Sequence, residues 1–180
     1  KSPHHFNMGA LLFSKERLEE KTLEAVFSKI QEHHDALRMV YREEGGKIIQ
    51  VNQGLDYPLH WHVFDYRGRT DARAALKEQM EIINKSMDLA VGPLMKIALF
   101  HLDDGDRLLI VVHHLVIDGV SWRILFEDLE TLYQQYRQGH SLRLPLKTDA
   151  FNVSCISLLN EYPEKKTIPL VFSSRAIVTS

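Results

Sequence analysis

The chain has 180 residues, and 22 Lys+Arg against 24 Asp+Glu leave a formal charge of −2 with the histidines neutral. That length suits one domain or one lobe of a larger one, and 44% hydrophobic with 26% charged residues excludes a disordered chain. The balance of charge gives no electrostatic basis for binding nucleic acid or an anionic membrane surface. The single Cys155 excludes an internal disulfide and a cysteine-rich zinc site, and no apolar run approaches a membrane span. Beginning Lys-Ser-Pro without a signal-peptide pattern, the chain reads as a cytoplasmic fragment. Ten histidines are the one unusual count.

Residues 6–13 are short and apolar and predict a strand. Ser14 then offers a side-chain oxygen as helix N-cap, and the 15–21 charge run (KERLEEK) reads as a solvated helix face. Leu23, Val26, Phe27, Ile30, His34 and Leu37 follow helical spacing on one face. Residues 38–41 and 47–51 flank Glu43-Glu44-Gly45-Gly46, a hairpin whose glycines can take positive φ, and 59–66 alternates as a strand. A second helix is predicted over about 71–87, with Ala72, Leu76, Met80, Ile83 and Met87 inward. Strands 94–102 and 107–114 follow, joined by Asp103-Asp104-Gly105-Asp106. The second of these is apolar on both faces, which places it centrally in a covered sheet. A third helix from about Val120 carries Leu125, Leu129, Leu132, Tyr133 and Tyr136 inward and stops at Gly139. The expected architecture is α/β, a mixed β-sheet with helices packed on it. Periodicity weakens after Phe151.

The buried strand delivers His113-His114-Leu115-Val116-Ile117-Asp118-Gly119. Burying imidazole and carboxylate costs a few kcal/mol (about 1–3 each) unless each finds a partner, so such a string has a reason. Strand alternation sends His113 and His114 to opposite faces. An imidazole against an apolar wall suits general-base work, since burial favours its neutral form. Gly119 would let the backbone turn sharply from strand to helix.

This HHxxxDG string resembles the core motif of nonribosomal peptide synthetase condensation-type domains. Its continuation, Val120-Ser121-Trp122-Arg123-Ile124-Leu125, resembles the epimerization branch. His33-His34-Asp35-Ala36-Leu37-Arg38 is similar to the family's RHExLR motif, with His33 and Asp35 in place of Arg and Glu. His4-His5-Phe6-Asn7 and Leu144-Pro145-Leu146-Lys147-Thr148-Asp149 resemble its flanking segments. The resemblance implies a two-layer, chloramphenicol-acetyltransferase-like lobe over 1–151, the first of two lobes set in a V, with 152–180 as a tail matching neither lobe. It implies His114 as the catalytic histidine and His113, Asp118, Gly119 and Arg38 as structural, with Asp118 pairing Arg38. A glutamate that completes the acid/base pair in epimerization domains would come from the second lobe.

The implied substrate is an aminoacyl or peptidyl thioester on a peptidyl carrier protein, epimerized at Cα from L to D. Phosphopantetheine would be carried by that partner, and this domain would bind no cofactor and no metal. The alternatives are a condensation domain, in which the same histidine assists amide formation, and an inactive lobe that only docks a partner. His60-Trp61-His62 places two imidazoles on one strand face, a spacing able to bind zinc, but half-buried strand histidines are the commoner reading. No Gly-rich phosphate loop argues for a nucleotide.

Overall fold

The computed structural model describes residues 6–145, together with the backbone of three short tail strands. Five strands form one mixed sheet, and its order follows from apolar content. The most apolar strands, β5 (Met95–Leu102) and β6 (Gly105–His113), are buried along nearly their whole length and pair antiparallel. β1 (Asn7–Ser14) pairs antiparallel with the other side of β6, and β4 (His60–Asp65) runs parallel to β5 as an edge. β2 (Met39–Glu44) and β3 (Lys47–Asn52) make the expected hairpin as a separate two-stranded sheet, turning at Gly45 and Gly46 with φ of 58° and 74°. Beyond residue 145, β7 (Pro169–Leu170) pairs β8 (Ser174–Arg175), and β9 (Ile177–Thr179) lines β1, giving the order β4-β5-β6-β1-β9. The central place expected for the 107–114 strand is the one it takes.

α1 (Glu20–His33) buries Leu23, Val26, Phe27 and Ile30, and α3 (Gly119–Arg137) buries Trp122, Leu125, Phe126, Leu129, Leu132 and Tyr133. The two helices pack on each other, and Phe27 of α1 meets Trp61 of β4. α2 (Ala72–Lys85) ends against the opposite face of the sheet. There Lys96 Nζ donates to Ser86 O and Oγ at 2.7 and 2.8 Å, and Asn7 Nδ2 donates to Asn84 O at 2.8 Å. Tyr136, expected in the α3 core stripe, is 37% exposed, one turn beyond the last buried residue of that face.

The segment before α1 departs from expectation. Ser14 is the last residue of β1 and donates its hydroxyl to Glu16 O, and the helix begins only at Glu20. Arg17 and Leu18 are drawn instead to Asp106, which is fully buried. Its carboxylate accepts from Leu18 N at 2.7 Å and pairs with Arg17, while His101 Nδ1 lies 3.0 Å away and His101 Nε2 sits 3.2 Å from Glu20 Oε1. A carboxylate removed from water needs such partners, and their positions fix the loop as non-helical. The preceding turn is equally constrained: at Gly105, with φ of 126°, an added Cβ would lie 2.4 Å from Ser14 O.

Candidate active site

The HHxxxDG string occupies the exit of the central strand. Its first two amides attach to the flanking strands on either side: His113 N donates to Leu94 O and His114 N to Phe6 O, each at 2.9 Å. Register with β1 sets His113 on the Asn7 face, and His114, the next residue, takes the opposite side, where its ring stacks on Phe6 with centroids 5.1 Å apart. The expected division of the two imidazoles holds.

His113 is 1% exposed, and its Nδ1 accepts the amide of Leu115 at 3.2 Å. A neutral ring that accepts at Nδ1 carries its hydrogen on Nε2, so this bond sets the tautomer and the path of the turn that presents His114. Val116 N closes that turn onto His113 O at 3.0 Å. His114 is half-buried, and among the described residues no side chain hydrogen-bonds its imidazole nitrogens.

Asp118 corrects the sequence reading. Rather than pairing Arg38, it is the N-cap of α3: one carboxylate oxygen accepts from both Ser121 N and Ser121 Oγ at 2.7 Å. Burial pushes its pKa up. Hydrogen bonds from Ser121 and Val120 and the nearby His114 outweigh that and hold it below the ordinary carboxylate value. Arg38 is buried and committed elsewhere: Nη1 donates to Gln31 O and Glu32 O, and Nη2 to Asp35 Oδ1, all at 2.6 Å. A carboxylate three residues away and the free carbonyls at the end of α1 hold both terminal nitrogens of the guanidinium locally. Gly119 needs no positive φ, being the first residue of α3, and an added Cβ there would meet nothing within 4 Å. The sharp-turn reason for this glycine is therefore wrong.

Trp122 turns into the core against Phe126, and Arg123 points to solvent beside Glu127. Sequence reasoning missed the link of His34 to Asp128, Nε2 to Oδ2 at 2.6 Å, which ties the end of α1 to α3. Among the described residues no group of three or more His, Cys, Asp or Glu is placed to hold a metal, and no helix is long and apolar enough to cross a membrane. His4, His5, residues 146–149 and Cys155 lie outside the described residues.

A mixed sheet whose central strand ends in a paired histidine, followed by a capped helix, is the N-terminal lobe of a chloramphenicol-acetyltransferase-like fold. The first condensation domain of the calcium-dependent antibiotic synthetase shares it, with a TM-score of 0.70 at 23% identity. Residues 1–166 match the Condensation domain family, and the chain belongs to that family. It is 44% identical, with a TM-score of 0.80, to the epimerization domain from the third module of tyrocidine synthetase B, over 83% of this chain and 34% of that one. It is 45% identical over 156 residues to gramicidin S synthase 1 of Brevibacillus brevis and 43% over 159 residues to tyrocidine synthase 1 of Brevibacillus parabrevis. It spans 86% and 88% of itself but only 14% of each relative.

Proposed function

We propose that this lobe supplies the histidine wall of an epimerization site in a nonribosomal peptide synthetase, with His114 as its proton-transfer group. One observation carries the reading: His114 is held at the end of the central strand, half-buried and stacked on Phe6, and among the described residues no side chain hydrogen-bonds its ring nitrogens. An imidazole so placed is available to a substrate rather than to the fold. The likeness to the tyrocidine synthetase epimerization domain favours Cα chemistry over amide formation.

The substrate is an aminoacyl or peptidyl thioester, brought on the phosphopantetheine arm of a carrier protein. The thioester acidifies the Cα hydrogen by stabilising the enolate. Inversion requires removal of that proton from one face and delivery of a proton to the other, so two acid/base groups must flank Cα. His114 is one of them, and the other belongs to the second lobe. This lobe alone is inactive, because a site with one wall stays wet and weakens each electrostatic contribution to the transition state. Asp118 and His113 act through His114, the first by anchoring α3 and the second by fixing the turn.

The test is mass-resolved uptake of deuterium at Cα of a carrier-bound L-aminoacyl thioester, using the synthetase that carries this lobe, in deuterated water. Wash-in with recovery of both enantiomers is expected. Amide formation with an acceptor thioester and no wash-in would make the domain a condensation catalyst. Full wash-in by residues 1–180 alone would refute the need for a second wall.

A further inference from the structure

Two of the ten histidines are brought together away from the HHxxxDG site. Strand periodicity puts His60 and His62 on one face of β4, the edge strand of the sheet. Their rings meet edge to face with centroids 4.4 Å apart, and Nε2 of one lies 3.3 Å from Nε2 of the other. Two metal–nitrogen bonds of about 2.0–2.1 Å span about 2.9 Å at the right angle of a tetragonal ion and about 3.3 Å at a tetrahedral angle. The separation that serves an N–H···N bond between the rings is therefore within about 0.5 Å of both spans, and a shared cation would replace the bridging proton once each ring turns to aim its Nε2 lone pair at the ion.

We propose that His60 and His62 form a two-imidazole chelate for a borderline divalent transition ion, preferring Cu2+ to Ni2+ and Zn2+. Imidazole nitrogens select these ions over Mg2+ and Ca2+, which require oxygen. No third His, Cys, Asp or Glu joins the pair among the described residues, so water completes the coordination. Asp65 falls on the opposite face of β4 and pairs Arg67. Lys96, directly across from His60 on β5, is a fixed positive charge whose ammonium binds Ser86. It opposes any added cation, so the site is weak and exchangeable. His62 is exposed and His60 half-buried, which leaves the chelate open to solvent on one side.

Cu2+ titrated into the 180-residue chain tests this, followed by electron paramagnetic resonance and by thermal melting. Nitrogen splitting from two imidazoles and a metal-dependent rise in midpoint are expected. Substituting the exposed partner, His62→Gln, should leave the metal-free melt unchanged and weaken binding by at least about tenfold, since even indirect changes at metal sites cost that much. His140→Gln should change neither. A two-imidazole signal that persists in His62→Gln, or that disappears instead in a His4→Gln/His5→Gln double variant, would overturn the assignment.

Discussion

β6 enters the sheet beside Asp106 and leaves it at His113, and each end carries ionisable groups next to the most apolar strands of the molecule. At the entry the ionisable groups are drawn onto one another. Asp106 takes Arg17 and the Leu18 amide, with His101 beside it, and His101 reaches on to Glu20. At the exit the engagement is selective. His113 and Asp118 accept backbone amides that shape the turn and the start of α3, while the imidazole of His114 has no side-chain hydrogen bond among the described residues. Polar burial at one end thus specifies the path of the backbone. At the other it shapes the turn around a half-buried imidazole, the group to which the proposed function assigns proton transfer.

If that contrast is right, the largest effect belongs to His114. In the synthetase that carries this lobe, His114→Ala should slow Cα exchange by about 10²–10⁴-fold, the usual contribution of one acid/base group. The melting midpoint should hardly move, because the ring is half-buried and, among the described residues, stacks on the exposed Phe6 alone. His113→Ala should show the reverse weighting, with stability lost by about 1–3 kcal/mol as the Leu115 amide loses its acceptor. Equal losses of rate and stability in both variants would erase the distinction between the two imidazoles.

The entry end offers the next largest effect, on stability alone. Asp106→Ala removes a fully buried carboxylate and strands the Leu18 amide and part of the His101 environment. Breaking a buried pair costs about 3–5 kcal/mol, and the lower end applies here because Arg17 stays half in water. Urea unfolding would measure it. A cost within about 0.5 kcal/mol of zero, the range of ordinary surface changes, would show that the cluster does not hold the loop.

The same two ends explain what could be read from the sequence. The central place of β6, the opposed faces of its histidines and the stop of α3 before Gly139 are local consequences of an apolar run, a period of two and a glycine. Asp106 looked like a turn residue because its partner Arg17 lies 89 positions away, and nothing in the KERLEEK run marks one arginine as belonging to another strand's carboxylate. The wrong start for α1 follows from that single omission. The resemblance pairs Arg38 with Asp118, whereas each has a nearer partner, Asp35 three residues before one and Ser121 three residues after the other. For Asp118 the signal was present: an aspartate at the head of an amphipathic helix is an N-cap before it is anything else.

That correction yields the smallest and most discriminating effect. Asp118→Ala should cost about 1 kcal/mol, the usual value of an N-cap, or about 2–4 °C in a domain of this size. Asp118→Asn keeps an acceptor oxygen for the Ser121 amide and should cost less, losing only the favourable charge near the helix N-terminus. Had the carboxylate been an ion-pair partner of Arg38, the asparagine variant would fall with alanine, and Arg38→Met would couple to it. With no shared contact, the two should add within about 0.5 kcal/mol in a double-mutant cycle. The pH dependence has a definite sign. Asp118's folded pKa lies below its ordinary value, so its contribution is fully present above that ordinary value, near pH 4. It disappears as pH falls through the lowered folded value, where the protonated cap accepts more weakly. Melting curves across that acid range should therefore converge for the parent and Asp118→Asn, while separating at neutral pH by the charge contribution alone. A gap that stays constant down to the lowest pH at which the chain folds would show that the cap does not titrate with Asp118.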